Sequence, residues 1–135
     1  MPRHDVPDTC WPSRTLLIDA DLEYGAWLLQ QLQTAGFLTD LACGWAAARA
    51  LLRASSYHSC VVMADLEQVA HLEHFGQLRR ATPTVWLIVL SHLPINRALP
   101  LAHAQGADAV LAEPFSMNDL TLRLQALSVR TRPRI

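Results

Sequence analysis

Val85-Trp86-Leu87-Ile88-Val89-Leu90 is an unbroken apolar run and the strongest strand signal in the chain. A strand of this kind is buried on both faces, as in a parallel sheet covered by helices on each side. The strand is expected to run from Thr84 to Leu90, and similar runs recur on both sides of it. Thr15-Leu16-Leu17-Ile18 ends at Asp19, Phe37 to Ala42 is a weaker strand, and Ser59 to Met63 carries Cys60-Val61-Val62-Met63. Ala109-Val110-Leu111 follows the turn Gly106-Ala107-Asp108.

Helical segments separate these strands. Asp21 is placed to cap the first, whose apolar face is read as Leu22, Ala26, Leu29 and Leu32, with Gly36 as its stop. The second is Ala/Leu-rich from about Trp45 to Arg53, after Gly44. The third follows the polar loop Asp65-Leu66-Glu67-Gln68 and turns Leu72, Phe75 and Leu78 inward. Proline disrupts a helix beyond its first turn, so Pro100 predicts a short fourth helix starting near Leu99. Ser116 caps the fifth, with Asp119 completing a capping box and Leu120, Leu124 and Leu127 on the core face. Five strands alternating with five helices predict an α/β fold: a doubly wound five-stranded parallel sheet in the flavodoxin-like order 2-1-3-4-5. Its site is expected beyond the carboxyl ends of strands one and three, where the winding reverses.

Composition sets outer limits. The chain has 135 residues, 51% of them hydrophobic, and a net charge of -1, which suits one soluble domain with a full core. Near-neutrality gives no general attraction to nucleic acid or to an anionic membrane. Residues 1–13 read as a flexible leader, 14–129 as the domain, and 130–135, with Arg130, Arg132 and Arg134, as a frayed basic tail. Cys10, Cys43 and Cys60 have no disulfide or zinc spacing, and Cys60 reads as a core residue. No segment has signal-peptide or membrane-span length, so a cytoplasmic protein is expected.

The strand ends carry a family likeness. Leu16-Leu17-Ile18-Asp19-Ala20-Asp21-Leu22-Glu23 resembles the opening of the receiver domain of two-component response regulators, the CheY-like family. Gly106-Ala107-Asp108-Ala109-Val110-Leu111-Ala112-Glu113-Pro114-Phe115 resembles that family's Gly-Ala-Asp to Lys-Pro-Phe segment, and Ser91 stands where receivers place Thr or Ser. The resemblance covers about residues 14 to 129. It implies a phosphorylation pocket built from a carboxylate nucleophile, a magnesium ion held by acids, a lysine and a hydroxyl, the cations offsetting charge on the phosphoryl oxygens.

By that correspondence the pocket is degenerate. Asp19 keeps the first acid, Ala20 replaces the second, Met63 replaces the nucleophile, and Glu113, before Pro114, replaces the lysine. A thioether accepts no phosphoryl group here, and one carboxylate beside it is a poor magnesium site. Val110 replaces the switch aromatic. Three alternatives stay open: Asp65 as acceptor if the strand slips by two residues, Asp21 standing in for the missing acid, and a polar plug in which His92 contacts Glu113. Asp19 and Glu113 are expected to be close like charges, raising one carboxylate's pKa.

Other residues read more plainly. His71 and His74 are solvated helix histidines with no third metal ligand, and Trp27, Trp45 and Trp86 are packing residues, Trp45 being the most exposed. In receivers the face of helix four, strand five and helix five meets partners; here it would carry Arg97, Pro100, Asp108 and Arg123. The expectation is a stand-alone, non-enzymatic receiver-like module without metal or cofactor. With the chain ending after helix five, it would work by docking to a kinase, regulator or output protein, or to itself as a homodimer. The alternatives are a small-molecule sensor and a phosphoacceptor using Asp65.

Overall fold

In the computed structural model, residues 14–133 are described; the 1–13 leader, with Cys10, and the last two residues of the basic tail lie outside the described residues. The chain alternates strictly: β1 Arg14–Ile18, α1 Leu22–Thr34, β2 Leu38–Ala42, α2 Trp45–Ala54, β3 Ser59–Met63, α3 Val69–Ala81, β4 Trp86–Ser91, α4 Ile95–Ala104, β5 Ala109–Ala112 and α5 Met117–Ser128. All strand pairs are parallel, in the order β2-β1-β3-β4-β5. This is the doubly wound sheet that the alternation implied.

The two-residue period of the strands builds two cores. Leu16, Ile18, Cys60, Val62, Leu87, Val89 and Val110 enter one apolar layer with Phe75 and Leu78 of α3 and Ala98 and Ala102 of α4. Leu17, Val61, Ile88, Leu90 and Leu111 enter the other, with Leu28 and Leu32 of α1 and Leu120 and Leu124 of α5. Slipping any central strand by one residue would exchange the two sets, so the register is firmly specified. Cys60 is fully buried, which pushes its thiol pKa up and makes it unreactive. No helix among the described residues is long and apolar enough to cross a membrane.

Several sequence expectations change. The buried stripe of α1 is Gly25, Leu28 and Leu32, while Leu22 is 61% exposed and Ala26 lies outside. Gly25 sets this rotation: a Cβ there would stand 3.2 Å from Leu41 Cδ1 and 3.3 Å from the Asp19 Cβ. The helix therefore lies close to β2 along its glycine. α4 begins at Ile95 rather than near Leu99, and Pro100 is in its interior. Both Pro100 and Asn96, whose carbonyl the missing N–H would have met, are exposed, so water can satisfy that carbonyl. Asp21 and Ser116 cap α1 and α5 as expected, Asp21 accepting from the amides of Glu23 and Tyr24 and Ser116 from that of Asp119. No return bond from the Ser116 amide to the Asp119 carboxylate completes a capping box among the described residues.

The basic tail is not frayed at its start. Arg132 Nε donates to both Asp108 oxygens at 3.0 and 2.9 Å, and Arg132 also donates to the Pro83 carbonyl at 2.6 Å. The Trp86 indole donates to the Arg130 carbonyl at 3.2 Å, with the Arg130 and Arg132 guanidiniums over its ring. Residues 130–133 thus close the amino-terminal edge of β4, and the domain extends past residue 129.

Candidate functional site

β1, β3, β4 and β5 end together, and their last residues and the loops beyond them form one polar cluster. Asp19 follows β1 and is 2% exposed. Its amide donates to the Ala42 carbonyl at 3.0 Å, and its Oδ1 accepts from the Asp21 amide at 2.9 Å. Its Oδ2 is buried with no hydrogen-bond partner among the described residues. Ala20 is exposed, and the Asp21 carboxylate is committed to capping α1. Met63, the last residue of β3, is half-buried against the α1 and α5 layer and pairs with Leu90.

Ser91 ends β4 fully buried. Its Oγ accepts from the Leu93 amide at 3.1 Å, and its carbonyl accepts from the Glu113 amide at 2.8 Å. That bond sets Glu113 beside β4, ahead of the cis-linked Pro114. Glu113 pairs with Nδ1 of His92, and the histidine side chain is 72% exposed. The structure therefore brings His92 and Glu113 together, but at the rim and not as a buried plug.

Charge in this cluster is uncomfortable. Burial holds the Asp19 carboxyl above its ordinary range; the Asp21 amide opposes this, the Asp21 and Glu113 carboxylates add to it, and His92 reduces it. Tyr24, on the first turn of α1, also faces Glu113. Burial and then that carboxylate push its phenol up to about 12, keeping it neutral.

This donor set does not fit magnesium. Ala20 and Met63 offer no oxygen from their side chains, Asp21 is engaged elsewhere, and a hard cation needs several oxygens in octahedral array. Among the described residues, no three His, Cys, Asp or Glu side chains are grouped to hold a metal ion.

The remaining candidates are dispersed. Asp65 organises its own loop: its carboxylate accepts from the Glu67 amide at 3.2 Å and from Gln68 Nε2 at 2.9 Å, while its amide donates to His71 Nδ1 at 3.1 Å. His71 is thus a loop partner and not a solvated histidine. His74 is stacked on Trp45, centroids 5.2 Å apart, with Nδ1 buried and unpartnered among the described residues. That stack makes Trp45 half-buried; Trp27, at 45%, is the exposed one. Val110 is 6% exposed in the core.

Of the four expected interface residues, Arg97, Pro100 and Arg123 are exposed, and Arg97 pairs with Glu67. Asp108 is an exposed residue, but its carboxylate is engaged within the domain. Its side chain is only 16% exposed and is held by Arg79 at 3.2 Å, by Arg132, and by the Leu87 amide at 2.9 Å. It fastens α3, β4 and the chain end together at the opposite end of the sheet.

The architecture has many parallels among solved structures. The Francisella response regulator 1452 receiver domain matches with a TM-score of 0.76 at 22% identity, over 86% of this chain and 96% of that one. A two-component response regulator from Clostridium difficile matches with a TM-score of 0.74 at 18% identity, over 87% and 97%. The chain shares the fold of these receiver domains. In sequence, the chain is 28% identical over 120 residues to the transcriptional regulatory protein RprY of Bacteroides fragilis, covering 88% of the chain and 50% of RprY. It is likewise 28% identical over 122 residues to TctD of Salmonella typhimurium, covering 90% and 54%. The chain spans about half the length of the curated relatives it matches. No family model matches it.

The sequence does not mark Tyr24 or Arg79, nor the anchoring role of Arg132 within the basic tail. Treating Gly25 as a close-approach position would have rotated α1 and aimed Tyr24 at the site. Nothing local marks Arg79 or Arg132, because their common partner, Asp108, is distant in sequence.

Proposed function

We propose that this chain is a degenerate receiver domain of a two-component-type pathway, cytoplasmic, that signals by docking and without phosphorylation. The observation that carries the reading is the anionic strand-end cluster. Where receivers place a nucleophile and a lysine, this chain has Met63 and Glu113, and Glu113 adds negative charge beside the buried Asp19. Phosphoryl transfer builds negative charge on equatorial oxygens and needs cations around them. Its partner would be another signalling protein or a second copy. The exposed Ile95 and Leu99 of α4 and Leu122 of α5, with Arg97 and Arg123, support docking on those helices.

Incubation with acetyl phosphate and magnesium, followed by intact mass measurement, tests this directly. No adduct is expected on the wild-type chain or on Met63→Asp, because repairing the nucleophile leaves Ala20 and Glu113 in place. A phosphoryl adduct on the wild type that disappears in Asp65→Asn would replace this reading with the Asp65 acceptor. An adduct on Met63→Asp would show that the altered cation and metal positions are tolerated, and the charge argument would fail.

A further inference from the structure

The helices α2 and α3 leave between them a cleft of 180 Å³ that includes no residue of the strand-end cluster. Ala48, Leu52 and Leu78 give it an apolar lining, and the stacked Trp45 and His74 rings contribute to its wall. Arg49 and Arg53 line it as well. We infer that this cleft binds a small aromatic carboxylate, with the ring among the apolar side chains and the carboxylate on Arg49 and Arg53.

Three independent features lead there. The first is size: an apolar cavity of roughly 150 Å³ accepts a benzene ring, so this cleft has room for one ring with a short acidic arm. The second is charge. Arg49 and Arg53 are four residues apart on α2 and share a helical face, where like charges repel. Both are exposed, neither makes an ion pair among the described residues, and no Asp or Glu lines the cleft. A carboxylate is the group that two neighbouring guanidiniums are best shaped to hold. The third is His74, whose buried Nδ1 lacks a partner among the described residues. A ring bearing a hydroxyl, which can donate or accept, would supply the missing partner for either tautomer of the imidazole. The site is separate from the docking function proposed above and does not depend on it.

The test uses para-hydroxyphenylacetate, its neutral isostere para-hydroxyphenylacetamide, and phenylacetate as probes. Nitrogen–proton NMR of the full chain follows the indole signal of Trp45, assigned through Trp45→Phe. The expected result is saturable movement of that signal by para-hydroxyphenylacetate, with the amide and phenylacetate each weaker, the amide by about tenfold for the lost charge-assisted bonds. Arg49→Gln with Arg53→Gln should abolish the acid–amide difference. Ala81→Phe, at an exposed cleft position, should block both ligands without entering the core. Equal affinity for acid and amide, or shifts that survive Ala81→Phe, would overturn the assignment. So would the absence of saturable binding by the acid. If instead a blocked peptide with one phenylalanine flanked by glutamates bound in an Arg49- and Arg53-dependent way, the cleft would be a protein-docking groove.

Discussion

Replacing Asp19 with asparagine should stabilise this protein, and increasingly so as pH rises. Asp19 is 2% exposed, its Oδ2 has no partner among the described residues, and the Glu113 and Asp21 carboxylates both disfavour its charge. Its folded-state pKa is therefore raised above that of the unfolded chain, with burial as the largest cause. For such a group, the contribution to stability is fully present below the unfolded pKa, near 3.9, and is lost as pH rises through the folded value. The Asp19→Asn variant would carry no such pH-dependent loss. Its side-chain oxygen can still accept from the Asp21 amide, which in the wild type stands 2.9 Å from Oδ1. Its side-chain nitrogen would take the place of the unsatisfied oxygen and carry no charge into the buried site. A buried polar atom left unpaired costs about 1–3 kcal/mol, so a gain of about 1–2 kcal/mol near neutral pH is expected. For a domain of this size that is a rise of about 4–8 °C in Tm. Urea unfolding followed by circular dichroism near pH 4 and near pH 7.5 measures the gap between the variants, which should widen with pH. A gap that is constant with pH, or an asparagine variant less stable near neutrality, would refute the claim that charge at Asp19 is a liability.

Asp108→Ala should lower stability by about 3 kcal/mol, because it strands the largely buried guanidiniums of Arg79 and Arg132 and the Leu87 amide together. Thermal unfolding should show this as a Tm lower by about 10 °C, and a loss under about 1 kcal/mol would mean that Asp108 is a surface charge after all. Pro100→Ala should stabilise α4 by about 1–3 kcal/mol by returning an N–H to the Asn96 carbonyl, seen as slower amide hydrogen exchange confined to that helix.

The fold was legible because it rests on patterns that are local in sequence. The apolar run of β4 and the caps at Asp21 and Ser116 each announce an element without reference to anything distant. Helix phase was less legible. Helical spacing puts Leu22 on the core face, but the close approach permitted by Gly25 turns it outward and brings Tyr24 toward the site. Pro100 acts in the opposite way: its penalty is real, yet the helix starts a turn early because Asn96, the residue left without its N–H partner, is exposed to water. The Asp108 cluster was illegible because its ligands come from α3, β4 and the chain end. At the strand-end site the residue identities could be read, whereas the balance of burial against charge at Asp19 needed the packed structure.

On the degenerate-receiver reading proposed above, that balance also links Met63 to Glu113. An aspartate at position 63 would end β3 in a half-buried place, next to a layer of apolar side chains. With Glu113 unchanged, the new carboxylate would join Asp19, whose charge the site already disfavours. Each added acid raises the pKa of its neighbours unless a cation intervenes, and a protonated carboxyl is a poor nucleophile. The nearest candidate for compensation, His92, is 72% exposed, so solvent screens much of any charge it carries. A thioether at position 63 avoids the conflict altogether: it fills the half-buried space and leaves the Glu113–His92 pair and the Asp19–Asp21 bond undisturbed. On the reading proposed above, a carboxylate at position 113 favours methionine over aspartate at 63, and acceptor chemistry would call for reversing the charge at 113 before replacing the thioether.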